Sequence, residues 1–112
     1  MTYTEKLQDP RWQKLRLEVF ERDLWQCRDC MSKDKPLHVH HCHYAKGEPW
    51  DTPTDFLMAL CADCHKERQE HEDRAKAALG FWMRRVTPRE IQEFYWNLIE
   101  TTHVYHGMIF KN

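Results

Sequence analysis

The chain lacks any run of apolar residues approaching the length needed to cross a membrane. Its first stretch, Met1-Thr2-Tyr3-Thr4-Glu5-Lys6, has no apolar segment leading to a small-residue cleavage site, so nothing marks it for export. A basic excess is missing too: 17 Lys and Arg against 18 Asp and Glu leave a net charge of -1. The global electrostatic argument for nucleic-acid binding is therefore absent. There is no internal repeat and no low-complexity tract. With 41% apolar and 31% charged residues, 112 residues suffice for one domain but fall short of a comfortable hydrophobic core, so a structural metal would matter for stability. The five cysteines cannot all pair, and in a reducing, non-secreted setting paired CxxC units point to metal ligands rather than disulfides.

What the chain does have is two such units, Cys27/Cys30 and Cys61/Cys64. They bracket His40-His41-Cys42-His43-Tyr44, and the second runs directly into His65. Thiolates are soft ligands that close a tetrahedral zinc site, whereas imidazoles suit a divalent ion that keeps positions open for water and substrate. Cys27, Cys30, Cys61 and Cys64 are thus the expected ligands of a structural Zn2+, with Cys42 left to pack within its strand. Neighbours on a strand face opposite ways, so His40 and His41 cannot both address one ion squarely. One is expected to bind metal while the other reaches the nucleophile.

Asp9-Pro10 followed by Trp12, Leu15, Val19 and Phe20 predicts a helix over 10–22, with an N-cap, proline at the first helical position and an apolar stripe. Leu37 to Tyr44 reads as a short strand, 46–53 as loop, and Asp55 to Leu60 as a second strand or an irregular return. Cys61 is expected to open a helix that Gly80 breaks or ends. Thr87-Pro88-Arg89-Glu90 starts a last helix over 88–101. His103 to Asn112 reads equally as a strand or a loose tail. Between Arg74 and Arg89 five basic residues occur without an acidic one, a solvated face or a phosphate-binding strip. Trp12, Trp50, Trp82 and Trp96 are most simply packing residues. Trp50, in the loop after the histidines, and Phe81-Trp82-Met83 beside Arg84 and Arg85 are the candidates for DNA contact, the latter equally for a dimer surface.

The segment Leu37 to Tyr44, then Gly47-Glu48-Pro49-Trp50-Asp51, then Asp55 to His65, resembles the HNH endonuclease motif in its four-cysteine zinc form. Tyr3, Leu7, Trp12, Arg16, Arg22-Asp23 and the first CxxC resemble the lead-in of bacterial and phage members, so the likeness covers residues 3–72. It implies an α+β fold: a small zinc-stabilised ββα-metal core with additional N-terminal and C-terminal helices. Residues 1–79 would form the nuclease domain and 80–112 a helical extension packed on it. By position His41 corresponds to the general base, and His40 and His65 to ligands of one catalytic divalent cation, Mg2+, Mn2+, Ni2+ or Zn2+. The residue that orients the base falls near Phe56, with Asp55 as the substitute, and His43 is in reserve.

The implied activity is hydrolysis of DNA phosphodiesters, double-stranded DNA first, leaving a 5′-phosphate and a 3′-hydroxyl. The implied location is the cytoplasm of a bacterial cell or phage-infected host, with no membrane partner, and a homodimer remains open. The alternative is a catalytically silent zinc module that binds nucleic acid or protein on the same scaffold. A RING-like adaptor fails for want of its eight-ligand series.

Overall fold

The structure, a computed structural model, describes residues 1–102; the segment from His103 lies outside the described residues. By their contacts the residues divide into two units, Met1–Arg68 and Gln69–Asn112. The order is α1 (Tyr3–Leu7), α2 (Pro10–Arg22), β1 (Leu37–His41), β2 (Leu57–Cys61), α3 (Ala62–Trp82) and α4 (Pro88–Thr102), with 3-10 turns at Pro49–Asp51 and Thr54–Phe56. The fold is α+β.

In the first unit α2 occupies the range its sequence predicts. The Asp9 carboxylate accepts the Arg11 N–H at 2.8 Å, and Pro10 sits where a missing N–H costs nothing. The helix stops because Leu24 and Trp25 take left-handed φ angles of 60° and 56°. The Trp25 N–H then closes onto the Phe20 carbonyl at 2.9 Å, and the two rings pack at 5.4 Å. The short α1, which no apolar stripe announces, rests on a capping box between Thr2 and Glu5.

β1 and β2 pair antiparallel, His40 opposite Met58 and His41 opposite Leu57. Period-2 alternation splits them between two faces. Val39 and Leu57 join Trp12, Val19, Leu15 and Trp50 in one core cluster. Leu60 joins Cys27 and Cys61 in a second, against which Met58 and Cys64 pack. The free edge of β2 is closed by side chains: Asp23 accepts the buried Ala59 N–H at 2.8 Å, and Arg22 donates to the Leu57 carbonyl at 2.6 Å. Arg22 also donates to the Thr54 carbonyl and grips Asp23 with two nitrogens. These bonds staple the end of α2 to β2 and leave no template for edge pairing there.

Two expectations shift. The strand ends at His41, where the Cys42 N–H bonds the Phe56 carbonyl and the chain turns away. Cys61 closes β2 instead of opening the helix, which starts at Ala62 and passes through Gly80 to Trp82. One glycine costs a helix only about 1 kcal/mol, too little to end it without a competing turn.

In the second unit, α4 begins on a capping box in which Thr87 Oγ1 accepts the Glu90 N–H at 3.2 Å and Glu90 accepts the Thr87 N–H at 3.1 Å. Trp82 and Trp96 are exposed at 49% and 38%, so neither belongs to a buried core among the described residues. No described helix is long and apolar enough to cross a membrane.

Candidate functional site

The turn after α2 makes the first half of a metal cradle. Cys27 N–H bonds the Ser32 carbonyl at 3.0 Å, Met31 N–H returns to the Cys27 carbonyl at 2.8 Å, and Met31 takes a left-handed φ of 65°. The Cys30 N–H points at Cys27 Sγ at 3.5 Å. The second half is the junction of β2 and α3, which supplies Cys61 and Cys64. The four sulfurs lie within 4.8 Å of one another, and Cys30 Sγ and Cys61 Sγ are 3.8 Å apart. A tetrahedral zinc with bonds of about 2.3 Å spaces its sulfurs by about 3.8 Å, so the donor set fits.

Electrostatics argues the same way. Burial pushes the Cys27 thiol up, but the N–H groups of Cys30, Cys61 and Asp29, with the Cys30 thiol, outweigh it and lower it to about 6. Cys64 is pushed up, first by hydrogen bonding with Cys61, then by burial and by Cys27 and Cys30. Four thiols this close hold one thiolate easily and resist more of them until a cation neutralises the charge. The four cysteines can bind a structural zinc.

The histidines gather on both sides of the hairpin. His40 is buried, and its ring meets that of His65, in the first turn of α3, edge to face with centroids 5.2 Å apart. Two imidazoles bound through nitrogen to one tetrahedral ion, with bonds of about 2.0–2.1 Å, would have centroids about 5 Å apart, close to the spacing of this pair. His38, on the same strand face, is stacked with His65 at 6.1 Å. Asp29, inside the first CxxC, accepts two bonds from Arg68 of α3 at 2.6 and 2.8 Å. The Arg68 hydrogen bonds hold the Asp29 carboxyl below the usual range, and the nearby His40 adds to this. Arg68 lies one turn beyond His65, so this pair fixes the cysteine turn to the helix that presents the second imidazole.

His41 projects from the opposite face, as the strand period requires. It is only 7% exposed, with its ring between the Trp12 ring at 5.5 Å and the Tyr44 ring at 4.5 Å, nearly parallel to both. Burial lowers its pKa, and the neighbouring His40 and His65 lower it further, all three favouring the neutral ring.

Asp55 sits in the 3-10 turn before β2, whose Phe56 meets His43 edge-on at 4.9 Å. Trp50 packs on the core with the Arg11 guanidinium 3.9 Å above its ring. Arg84 and Arg85 lie just past the end of α3, Arg84 5.9 Å from the Phe81 ring. Trp12, Tyr44, Asp29 and His38 are the site residues that motif reasoning passes over. Trp12, as part of the N-terminal lead-in, and His38 and Tyr44, inside the histidine segment, left a signal without a role; Asp29 left none.

Over 62 residues the chain is 29% identical to the Zorya protein ZorE of Escherichia coli, a match covering 54% of this chain and 17% of that protein. The chain thus spans less than a fifth of the length of the curated relative it matches. No family model matches the chain, and no solved structure matches it.

Proposed function

We propose that the chain is a metal-dependent endonuclease of the HNH type that hydrolyses DNA phosphodiester bonds, leaving a 5′-phosphate and a 3′-hydroxyl. The observation that carries this reading is the meeting of His40 and His65 at 5.2 Å, from a strand and a helix that the four-cysteine cluster ties together. The likeness to ZorE over about half of the chain is compatible with it.

His41 acts as the general base. A neutral imidazole takes a proton from water, a contribution of typically about 10²–10⁴-fold. His41 follows His40 directly at the end of β1, with the two rings on opposite faces of the strand. His40 and His65 would hold a divalent ion, Mg2+, Mn2+, Ni2+ or Zn2+, which would supply positive charge for the scissile phosphate and the leaving oxygen. The Asp29–Arg68 pair ties the cysteine turn to the helix that carries His65. Asp55 supports the His41 end of the hairpin from the turn that meets it. Double-stranded DNA is the substrate, with Arg84, Arg85 and Trp50 as its contacts outside the histidines. Residues 1–79 serve as the nuclease domain and 80–112 as its extension.

The depth of His41 favours one second reading, a zinc module that binds nucleic acid without cutting it. Supercoiled plasmid, incubated with chelator-treated protein that retains its cysteine-bound zinc, separates the two. Nicked or linear product on adding back Mg2+, Mn2+, Ni2+ or Zn2+ supports the nuclease. Retarded but intact plasmid under all four ions supports the binding module.

A further inference from the structure

The base of a hydrolytic site needs something to fix its ring, and in many sites a carboxylate hydrogen-bonded to the imidazole does so. Here the ring contacts of His41 are two aromatic faces, Trp12 and Tyr44, at interplanar angles of 10° and 8°. The geometry points to Tyr44 as a positioning residue for His41: with Trp12 it clamps the imidazole plane. This rests on the nuclease reading above.

Clamping both faces of a five-membered ring restricts rotation about its Cβ–Cγ bond, the torsion that is otherwise broad for histidine. It leaves the ring edge, where both nitrogens lie, as the route for water. The two jaws differ in kind. Trp12 is 5% exposed, comes from α2 and belongs to the core, so it is the fixed jaw. Tyr44 is 68% exposed, lies three residues beyond His41 after the chain has left the strand, and turns back to cover the ring. Tyr3 and Lys6 of α1 line one cavity with Tyr44, so the first helix stands near this outer jaw. An exposed aromatic lying parallel on a buried histidine at 4.5 Å gains little for the core, whereas it does restrict the one ring that must meet a water in line. The aromatic faces also favour the positive charge the ring acquires while it holds the proton.

The test compares Tyr44→Ala, Tyr44→Phe and wild type, all zinc-loaded, with two readouts. The first is plasmid nicking with kcat and KM separated. The second is the His41 ring Hε1 resonance and its 13C relaxation in protein labelled at histidine, assigned with His41→Gln. We expect Tyr44→Ala to lower kcat about tenfold with KM nearly unchanged, and Tyr44→Phe to restore it, as for loss of orientation alone. The His41 resonance should move downfield, and its ring become mobile, in Tyr44→Ala only. Unchanged kcat with an unmoved resonance would overturn the proposal, as would faster cleavage by Tyr44→Ala, which would make Tyr44 a shield. A wild type that cuts under none of the ions would overturn the nuclease reading instead. The resonance comparison would then still decide whether Tyr44 fixes the ring.

Discussion

Replacing Cys30 by alanine isolates the contribution of the metal cradle from that of the core. Cys30 is exposed, so its loss removes no core packing, yet its sulfur lies 3.8 Å from that of Cys61 in a four-sulfur set. The first unit, Met1–Arg68, is of a size at which one hydrophobic core rarely supplies more than about 3–5 kcal/mol. Zinc held by a complete site in small domains contributes about 10–16 kcal/mol, so one ligand in four accounts for about 2.5–4 kcal/mol. That is comparable with the whole margin. Cys30→Ala should therefore leave the first unit largely unfolded at room temperature, with bound zinc well below one equivalent. The checks are thermal melting followed by circular dichroism and zinc release measured with a colorimetric chelator. Cys42→Ala is the control, because Cys42 lies outside the sulfur set, touching Met58 Sδ at 3.6 Å, and should melt close to wild type. A Cys30→Ala protein that melts and holds zinc like wild type would refute the reasoning.

Other perturbations probe the frame around the site. Arg22→Ala should lose about 3 kcal/mol in urea unfolding, because it strips the charge partner from buried Asp23 and two carbonyl bonds from the β2 side. Arg22→Lys should recover only part of that loss, and an unchanged midpoint for Arg22→Ala would contradict the staple. Met31→Gly should raise stability by up to about 1 kcal/mol, since φ of 65° burdens a side chain but not glycine. A lowered melting point would show that the Gln26 contact to the Met31 sulfur matters more. Gly80→Ala should add about 0.5–1 kcal/mol and raise helicity, because a Cβ there meets nothing within 4 Å. Loss of helicity would mean α3 does not run through Gly80.

Much of this frame could be read from local chemistry. The Asp9-Pro10 cap and its apolar stripe place α2, Thr87-Pro88 places α4, and paired CxxC units predict the cradle because two ligands three apart have the right bite wherever the chain carries them. The alternation rule already puts His40 and His41 on opposite faces. What local chemistry misses depends on distant partners. Nothing around Tyr44 tells that it folds back onto His41, and nothing in Cys27-Arg28-Asp29-Cys30 tells that Asp29 will meet Arg68. The helix continues past Gly80 because a glycine weakens a helix without supplying a stop, and Cys61 stays in β2 because its partner Leu37 extends the ladder that far.

In the proposed mechanism His41 takes the proton from the attacking water, near an ion shared by His40 and His65. This step is tested most directly by His41→Ala measured against wild type in plasmid cleavage, with zinc content and circular dichroism taken on the same samples. The account predicts cleavage reduced by at least about 10²-fold, with the zinc and the spectrum of wild type. A His41→Ala protein that is folded, zinc-bound and as active as wild type would contradict it.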